Sequence, residues 1–424
     1  MKVLDKSGLH TGKAGKMGKI ENAGSTEKVG NSTDLTKYRK KKKQSKYLVK
    51  LILALVAVIA LAIVWINADT IFEPLRGIAS KVETKTSYDV GFPIELPGSS
   101  DYKLERFGEN FALLTDTYLY AYDKAGGQLY ALKHGYNSPE ITTNEKRILL
   151  FDKSGYNFAL YSKTSLIYQK TLDNKIVYTR VGGDNLAAVV TDSDRYSNVL
   201  YIYDDGGNWK YTRKFADENV MQVSFVGDGE HIIVSTISSA NGDIVTNFYK
   251  LSIKSTEGSV WYRSIKNNSL PCGLYSDKNC VLCVCDNAVI SLNTENGSTN
   301  TVHTYSGGLR HYAVCELGCA LHCLDVSSGR NTLTVLNSEA EETAFGFVSS
   351  TTSCLSFDED GVILLEGTRL RILDAELENE REMALVNDDH TEFIKIGKDL
   401  FLLGYDKINT VNISVNTAAN TAEE

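Results

Sequence analysis

Apolar and polar positions divide the chain into three unlike stretches. Residues 47–66, Tyr47-Leu-Val-Lys-Leu-Ile-Leu-Ala-Leu-Val-Ala-Val-Ile-Ala-Leu-Ala-Ile-Val-Trp-Ile66, are apolar almost without interruption, with Lys50 the single charge. Twenty helical residues at about 1.5 Å each span roughly the 30 Å hydrocarbon thickness of a bilayer. This pattern predicts a single transmembrane helix. Lys50 lies one turn inside, within snorkelling reach of the headgroups, and Tyr47 and Trp65 fall at the two ends, where amphipathic rings prefer to sit. A cleaved signal peptide is disfavoured by the long run and by the poor small-x-small site at Ile66-Asn67-Ala68. A buried core helix would need protein covering all its faces.

Beyond residue 88 the helical period gives way to short apolar or alternating runs separated by Asp, Asn and Gly turns. One unit recurs: a strand ending in a polar residue, a turn bearing Gly, Ser or Asn, and another strand. It is read at Tyr118–Tyr130, Asn157–Tyr168, Val199–Trp209, Phe248–Trp261, Ala288–Ser298, Leu321–Gly329 and Leu370–Asn379. Many of these hairpins follow a further apolar strand, such as Phe111–Asp116, Leu186–Asp192, Val281–Asp286 and Val362–Glu366. Four strands in roughly 40 residues is the period of a propeller blade.

Seven complete hairpins are followed by an incomplete unit, Leu400–Tyr405 and Ile408–Ser414, which lacks its last strand. The stretch Asp89-Val-Gly-Phe-Pro-Ile-Glu-Leu96 precedes the first unit and could supply it, which would remove two free sheet edges. The expected fold is therefore an all-β propeller of eight blades, with seven as the alternative, behind one transmembrane helix. A β-sandwich pair or a β-solenoid is the structural competitor. The predicted organisation is a disordered basic cytoplasmic tail at 1–46, the helix at 47–66, a linker at 67–87, the propeller at 88–416 and a disordered tail at 417–424.

Lys254-Ser-Thr-Glu-Gly-Ser-Val-Trp261 and Asp123-Lys-Ala-Gly-Gly-Gln-Leu-Tyr130 resemble the Asp-x-x-Thr-Gly-x-x-x-Trp hairpin of quinoprotein-like propellers. The whole plan is similar to an uncharacterised family of single-pass, membrane-anchored β-propellers of Gram-positive bacteria, with quinoprotein-like or WD40-like repeats. The resemblance covers nearly the entire chain and implies the fold rather than an activity.

Charge sharpens the topology. Residues 1–50 hold 14 basic residues against four acidic ones, whereas the remainder carries a formal −18. The basic run Tyr38-Arg-Lys-Lys-Lys-Lys-Gln-Ser-Lys46 abuts the helix, and Asn67–Pro74 on the other side has no Lys or Arg. The positive-inside rule predicts a cytoplasmic N-terminus and an extracytoplasmic C-terminal domain. An acidic domain is repelled by phosphate backbones, so nucleic acid is not expected as a partner.

No catalytic, cofactor-binding or metal-ligating set is assigned, and no cofactor is expected. The eight cysteines all lie between Cys272 and Cys354, many inside apolar strands as in Cys280-Val-Leu-Cys-Val-Cys285, and read first as buried free thiols, with one or two disulfides as the alternative. His303, His311, His322, Cys315, Cys319 and Cys323 crowd one stretch without a second metal-binding half-motif. Asp192-Ser-Asp194 and Asp358-Glu-Asp360 read as turns rather than calcium loops. Three Trp in all and no adjacent Cys pair argue against quinone-dependent catalysis.

A rigid disc with converging loops suits the holding of another protein, so the leading expectation is a protein-binding scaffold at the cell envelope. Recognition of a wall glycan or small solute would require an aromatic-lined pocket at the channel mouth. A lyase or hydrolase would require convergent His, Asp, Glu or Arg in the channel.

Overall fold

The computed structural model describes residues 91–98, 101–255, 258–386 and 389–414. The expected tail at 1–46, transmembrane helix at 47–66, linker at 67–87 and tail at 417–424 lie outside the described residues. Among the described residues no helix is long and apolar enough to cross a membrane.

The chain begins its sheets with β1 (Ile94–Glu95) and then builds one four-stranded unit after another. Blade 1 comprises β2 (Tyr102–Phe107), β3 (Asn110–Thr115), β4 (Tyr118–Asp123) and β5 (Gln128–Lys133). Blade 2 comprises β6 (Pro139–Thr143), β7 (Ile148–Asp152), β8 (Asn157–Tyr161) and β9 (Leu166–Thr171). Blade 3 comprises β10 (Ile176–Val181), β11 (Ala187–Thr191), β12 (Asn198–Tyr203) and β13 (Trp209–Phe215). Blade 4 comprises β14 (Asn219–Phe225), β15 (His231–Ala240), β16 (Asp243–Ser252) and β17 (Trp261–Lys266). Blade 5 comprises β18 (Pro271–Ser276), β19 (Cys280–Cys285), β20 (Ala288–Asn293) and β21 (Thr299–Thr304). Blade 6 comprises β22 (Gly308–Cys315), β23 (Gly318–Asp325), β24 (Arg330–Asn337) and β25 (Glu342–Val348). Blade 7 comprises β26 (Thr352–Asp358), β27 (Gly361–Glu366), β28 (Arg369–Leu373) and β29 (Glu380–Ala384). Blade 8 comprises β30 (Glu392–Ile396), β31 (Asp399–Leu403), β32 (Lys407–Asn412) and, as its fourth strand, β1.

Every sheet is an antiparallel meander. The first strand of each blade touches the first strand of the next, and β30 returns to β2, so the eight inner strands close a ring around a central channel. The seven-blade, sandwich and solenoid alternatives are thereby set aside.

β1 closes the ring as the sequence pattern anticipates. Ile94 pairs with Ile408 and Glu95 with Lys407, and the Leu96 amide donates to the Asp406 carbonyl at 2.8 Å. Just upstream, Phe92 lies between Phe111 of blade 1 and Phe401 of blade 8, with ring centroids 6.4 and 5.5 Å away.

The near-continuous apolar runs have a packing cause. A second strand such as β3, β7, β11, β19 or β27 is buried on both faces, because each face meets a neighbouring blade. In β3, Phe111 and Leu113 face blade 8, whereas Ala112 and Leu114 face blade 2. Eight apolar clusters result, one per interface between blades.

The polar residue that ends the third strand also has a physical role. Asp123 Oδ1 accepts the amides of Ala125 and Gly127, both at 2.9 Å, and Asp204 Oδ1 accepts those of Gly206 and Asn208 at 3.0 and 2.7 Å. Asn293 and Asn337 cap the equivalent turns of blades 5 and 6. The side chain supplies acceptors for turn amides that the ladder leaves unpaired. The hairpin read at Leu321–Gly329 joins β23 to β24, one strand earlier than its counterparts; the true third-to-fourth turn of blade 6 is Asn337–Glu341. Asp325, which accepts the Ser327 amide at 2.9 Å, imitates the capping chemistry there.

Two faces follow from the meander. First-to-second and third-to-fourth turns form a turn face; second-to-third connections and the links between blades form a loop face. β1 runs from the turn face to the loop face, so the chain joins the ring at the turn face.

Candidate functional site

The channel wall is tied together strand to strand. The Tyr178 hydroxyl on β10 donates to Gln222 Oε1 on β14 at 3.2 Å. Gln222 Nε2 donates to the Cys272 carbonyl on β18 at 3.0 Å, and the Tyr312 hydroxyl on β22 donates to the same carbonyl at 2.7 Å. Burial pushes the Tyr178 phenol up and the Tyr312 phenol to about 12, so both stay neutral donors. This belt spans four consecutive blades and leaves its polar groups satisfied rather than poised for a ligand.

The opposite wall is ionic. Lys103 Nζ on β2 lies 3.3 Å from Glu105 Oε1 and 3.6 Å from Glu140 Oε2 on β6, and it donates to the Ile141 carbonyl at 3.3 Å. Lys153 reaches Glu140 at 3.1 Å. On β30, desolvation raises the Glu392 carboxyl to about 7, with the Glu105 charge adding to the shift and Lys103 opposing it. A carboxyl that keeps its proton up to about neutral pH thus stands beside an ion-paired one. Above this wall, on the loop face, a cleft of about 480 Å³ between blades 1 and 2 is lined by residues including Tyr102, Lys103, Asp116, Asn137, Glu140 and Lys153. A second cleft of about 360 Å³ between blades 8 and 1 shares Asp101 and Tyr102 with it and adds Tyr405 and Asp406. The mouth is polar, with Tyr102 and Tyr405 as its aromatics.

The outer wall carries the clearest asymmetry. Exposed large hydrophobic side chains stand on the outer strands of four consecutive blades: Trp209 on β13, Tyr262 on β17, Val302 on β21, and Phe345 and Phe347 on β25. Trp209 is 61% exposed, and Phe345 and Phe347 are 52% and 54% exposed. Among the described residues, none of the exposed large hydrophobics lies on the outer strands β29, β1, β5 or β9. These side chains stand in solvent, one to a strand on β13, β17 and β21 and two on β25, on one side of the ring. Sequence reading missed this rim, because an apolar side chain in an outer strand has the same local pattern whether a neighbour covers it or not.

The residues weighed for chemistry fall into structural places. All eight cysteines are free. Cys283 and Cys285 share a face of β19, with sulfurs 3.8 Å apart, and the hydrogen bond with Cys285 and then burial push the Cys283 thiol well up. His311 on β22 stacks on His322 of β23 at 5.4 Å, His322 Nε2 donates to Asn331 Oδ1 at 2.9 Å, and His303 sits apart on β21. Cys319 and Cys323 lie on β23 and Cys315 on β22; no group of three or more His, Cys, Asp or Glu side chains gathers for a metal among the described residues. Asp192 accepts the Lys175 amide at 2.8 Å. Asp358 and Asp360 hold a lysine: Lys395 Nζ lies 2.6 Å from Asp358 and 2.5 Å from Asp360, and Lys398 also pairs with Asp360. That ion cluster clamps blade 7 to blade 8.

Residues 81–413 match the model of DUF5711, described as a family of unknown function. No curated protein sequence matches the chain. Among solved structures, BamB from Moraxella catarrhalis is similar at 10% identity and a TM-score of 0.52, over 76% of this chain and 98% of that one. The WD40 domain of SCAP from fission yeast is similar at 9% identity and a TM-score of 0.51, over 76% and 98% of the two chains. Apo AztD from Citrobacter koseri is similar at 9% identity and a TM-score of 0.50, over 76% and 92%. At such identities the likeness is one of fold.

Proposed function

Because this chain belongs to DUF5711, a family of unknown function, its role rests on its own surface, and we propose that it is a membrane-anchored, extracytoplasmic β-propeller that acts as a protein-binding scaffold at the cell envelope. One observation carries the reading: the apolar and aromatic rim on the outer strands of blades 3 to 6. A ring of eight paired sheets offers this rim on fixed strands, so little ordering cost opposes docking. Trp, Tyr and Phe are the side chains that dominate protein interfaces. The anchoring follows from the apolar run at 47–66 and the basic cluster before it.

Photo-crosslinking in the intact cell envelope tests this. A crosslinking residue in place of Tyr262 or Phe347 should trap a discrete protein, whereas one in place of Lys133 on the opposite rim should not. Equal capture from both sides, or none from either, would overturn the reading. For topology, protease added to intact protoplasts should degrade the propeller and spare the basic tail; a protected propeller would reverse the assigned orientation.

A second reading has one observation in its favour. The two loop-face clefts meet at Asp101 and Tyr102 over the Lys103–Glu140 pair, a polar mouth of the size of a small solute. Retention of the full chain on purified wall polymer, lost in Tyr102→Ala, would favour glycan recognition over protein docking.

A further inference from the structure

β25, the outer strand of blade 6, differs from the other outer strands. β5, β9, β13, β17 and β29 all carry Lys or Arg, the side chains that keep a free sheet edge from pairing. β1 is two residues long, and β21 is made of Thr, Asn, Val and His. β25, Glu342-Thr-Ala-Phe-Gly-Phe-Val348, has no basic residue and sets two exposed phenylalanines on one face, edge to face at 5.5 Å. Among the described residues no strand pairs with its outer edge. Its two ends differ in charge. Glu339, Glu341 and Glu342 cluster at the turn-face end, all exposed. At the loop-face end the Arg330 guanidinium stacks over Phe347 at 5.1 Å, beside a groove of about 410 Å³.

We propose that β25 takes up an extended segment of a partner protein as a fifth, antiparallel strand of blade 6. The segment carries alternating apolar side chains and a lysine or arginine at its C-terminal end. Main-chain hydrogen bonds supply the pairing, Phe345 and Phe347 take every second side chain, and the carboxylates at one end with Arg330 at the other set the direction. Seven residues at about 3.4 Å each give a contact of roughly 24 Å. This inference rests on reading the rim as a docking surface and names what docks there.

The probe is a fluorescein-labelled peptide, Val-Thr-Val-Ser-Val-Lys-Lys, titrated against the full chain in mild detergent, with the Glu-Glu-ended peptide as its counterpart. Binding should slow hydrogen exchange at the Phe345–Phe347 amides. It should weaken about tenfold, near 1.4 kcal/mol, for the Glu-Glu peptide and for Glu339→Lys/Glu342→Lys. Phe345→Lys/Phe347→Lys, which copies the lysines of the other outer strands, should abolish it while leaving the thermal melt unchanged. Absent binding, binding without protection of β25, or equal binding to the Phe variant would overturn the proposal. So would self-association lost in that variant and not competed by the peptide, which would make a second copy the occupant. If the rim crosslinks persist while the peptide fails, strand addition alone falls; if both fail, the docking reading falls with it.

Discussion

Trp261 of blade 4 lies across the turn of blade 5 at Gly297: the indole Cδ2 is 2.6 Å from where a Cβ on Gly297 would stand, and Nε1 donates to the Thr294 carbonyl at 2.9 Å. The same device recurs around the ring. Tyr168 of blade 2 covers Gly207 of blade 3 at 2.8 Å, and Phe92 covers Gly126 of blade 1 at 3.2 Å, measured to the same notional Cβ. An aromatic from one blade thus seats on the capped turn of the next. This is the physical content of the hairpin motif read at Lys254–Trp261.

Gly297 has φ of +69°, a conformation that disfavours side chains, and its free side is filled by the indole. Gly297→Ala should therefore destabilise the chain by about 2 kcal/mol or more. Trp261→Phe should cost about 1 kcal/mol through the lost Nε1 bond. Urea unfolding of the two single variants and the double variant should show losses that do not add, because the two residues share one contact.

The Lys395 clamp gives a pH-dependent prediction. Lys395 is nearly buried and faces Asp358 and Asp360, and hydrogen bonds from Lys395 and then Lys398 hold the Asp360 carboxyl below its usual range. Lys395→Met leaves Asp358 without its cation and Asp360 with Lys398 alone, and should cost about 3 kcal/mol at pH 7. A depressed carboxylate contributes stability above its unfolded pKa, about 3.9, and loses it as pH falls through the lower folded value. The gap in urea midpoint between wild type and Lys395→Met should accordingly shrink on acidification below pH 4.

Glu392 has the opposite sign. Its folded pKa of about 7 exceeds the unfolded value of about 4.3, so the native state binds the extra proton and stability falls as pH rises between those values. Glu392→Gln should match wild type in Tm near pH 4 and melt higher than wild type at pH 8. A variant that tracks wild type at both pH values would mean the carboxyl is not desolvated.

The cysteines predict a titration. Eight thiols should react with an aromatic disulfide reagent in denaturant, and six would reveal one disulfide. In the native chain the reaction at pH 8 should be slow, because burial pushes the Cys272, Cys280, Cys323 and Cys354 thiols up to about 11 and leaves little thiolate.

The sequence by itself determined the eight-bladed all-β fold, the repeat length and the closing strand near Ile94. Each of these follows from local information: apolar runs of strand length, capping residues at strand ends, and a last unit one strand short. The capped turn could be found wherever glycine took the left-handed position, as at Gly126, Gly207 and Gly297. In blades 6 and 7 the same position is held by Ala340 and Leu377, with φ of +60° and +59°; the blade 7 turn was still legible between its flanking strands, whereas in blade 6 the local signal failed. The register of blade 6 slipped by one strand for that reason. Tertiary structure alone decided the rest. Whether Phe345 is core or surface, whether Asp360 meets water or Lys395, and whether Glu392 ionises depend on what the neighbouring blade places opposite. Those partners lie some 35 residues away for Asp360 and nearly 290 for Glu392 and Glu105, beyond the reach of any periodicity.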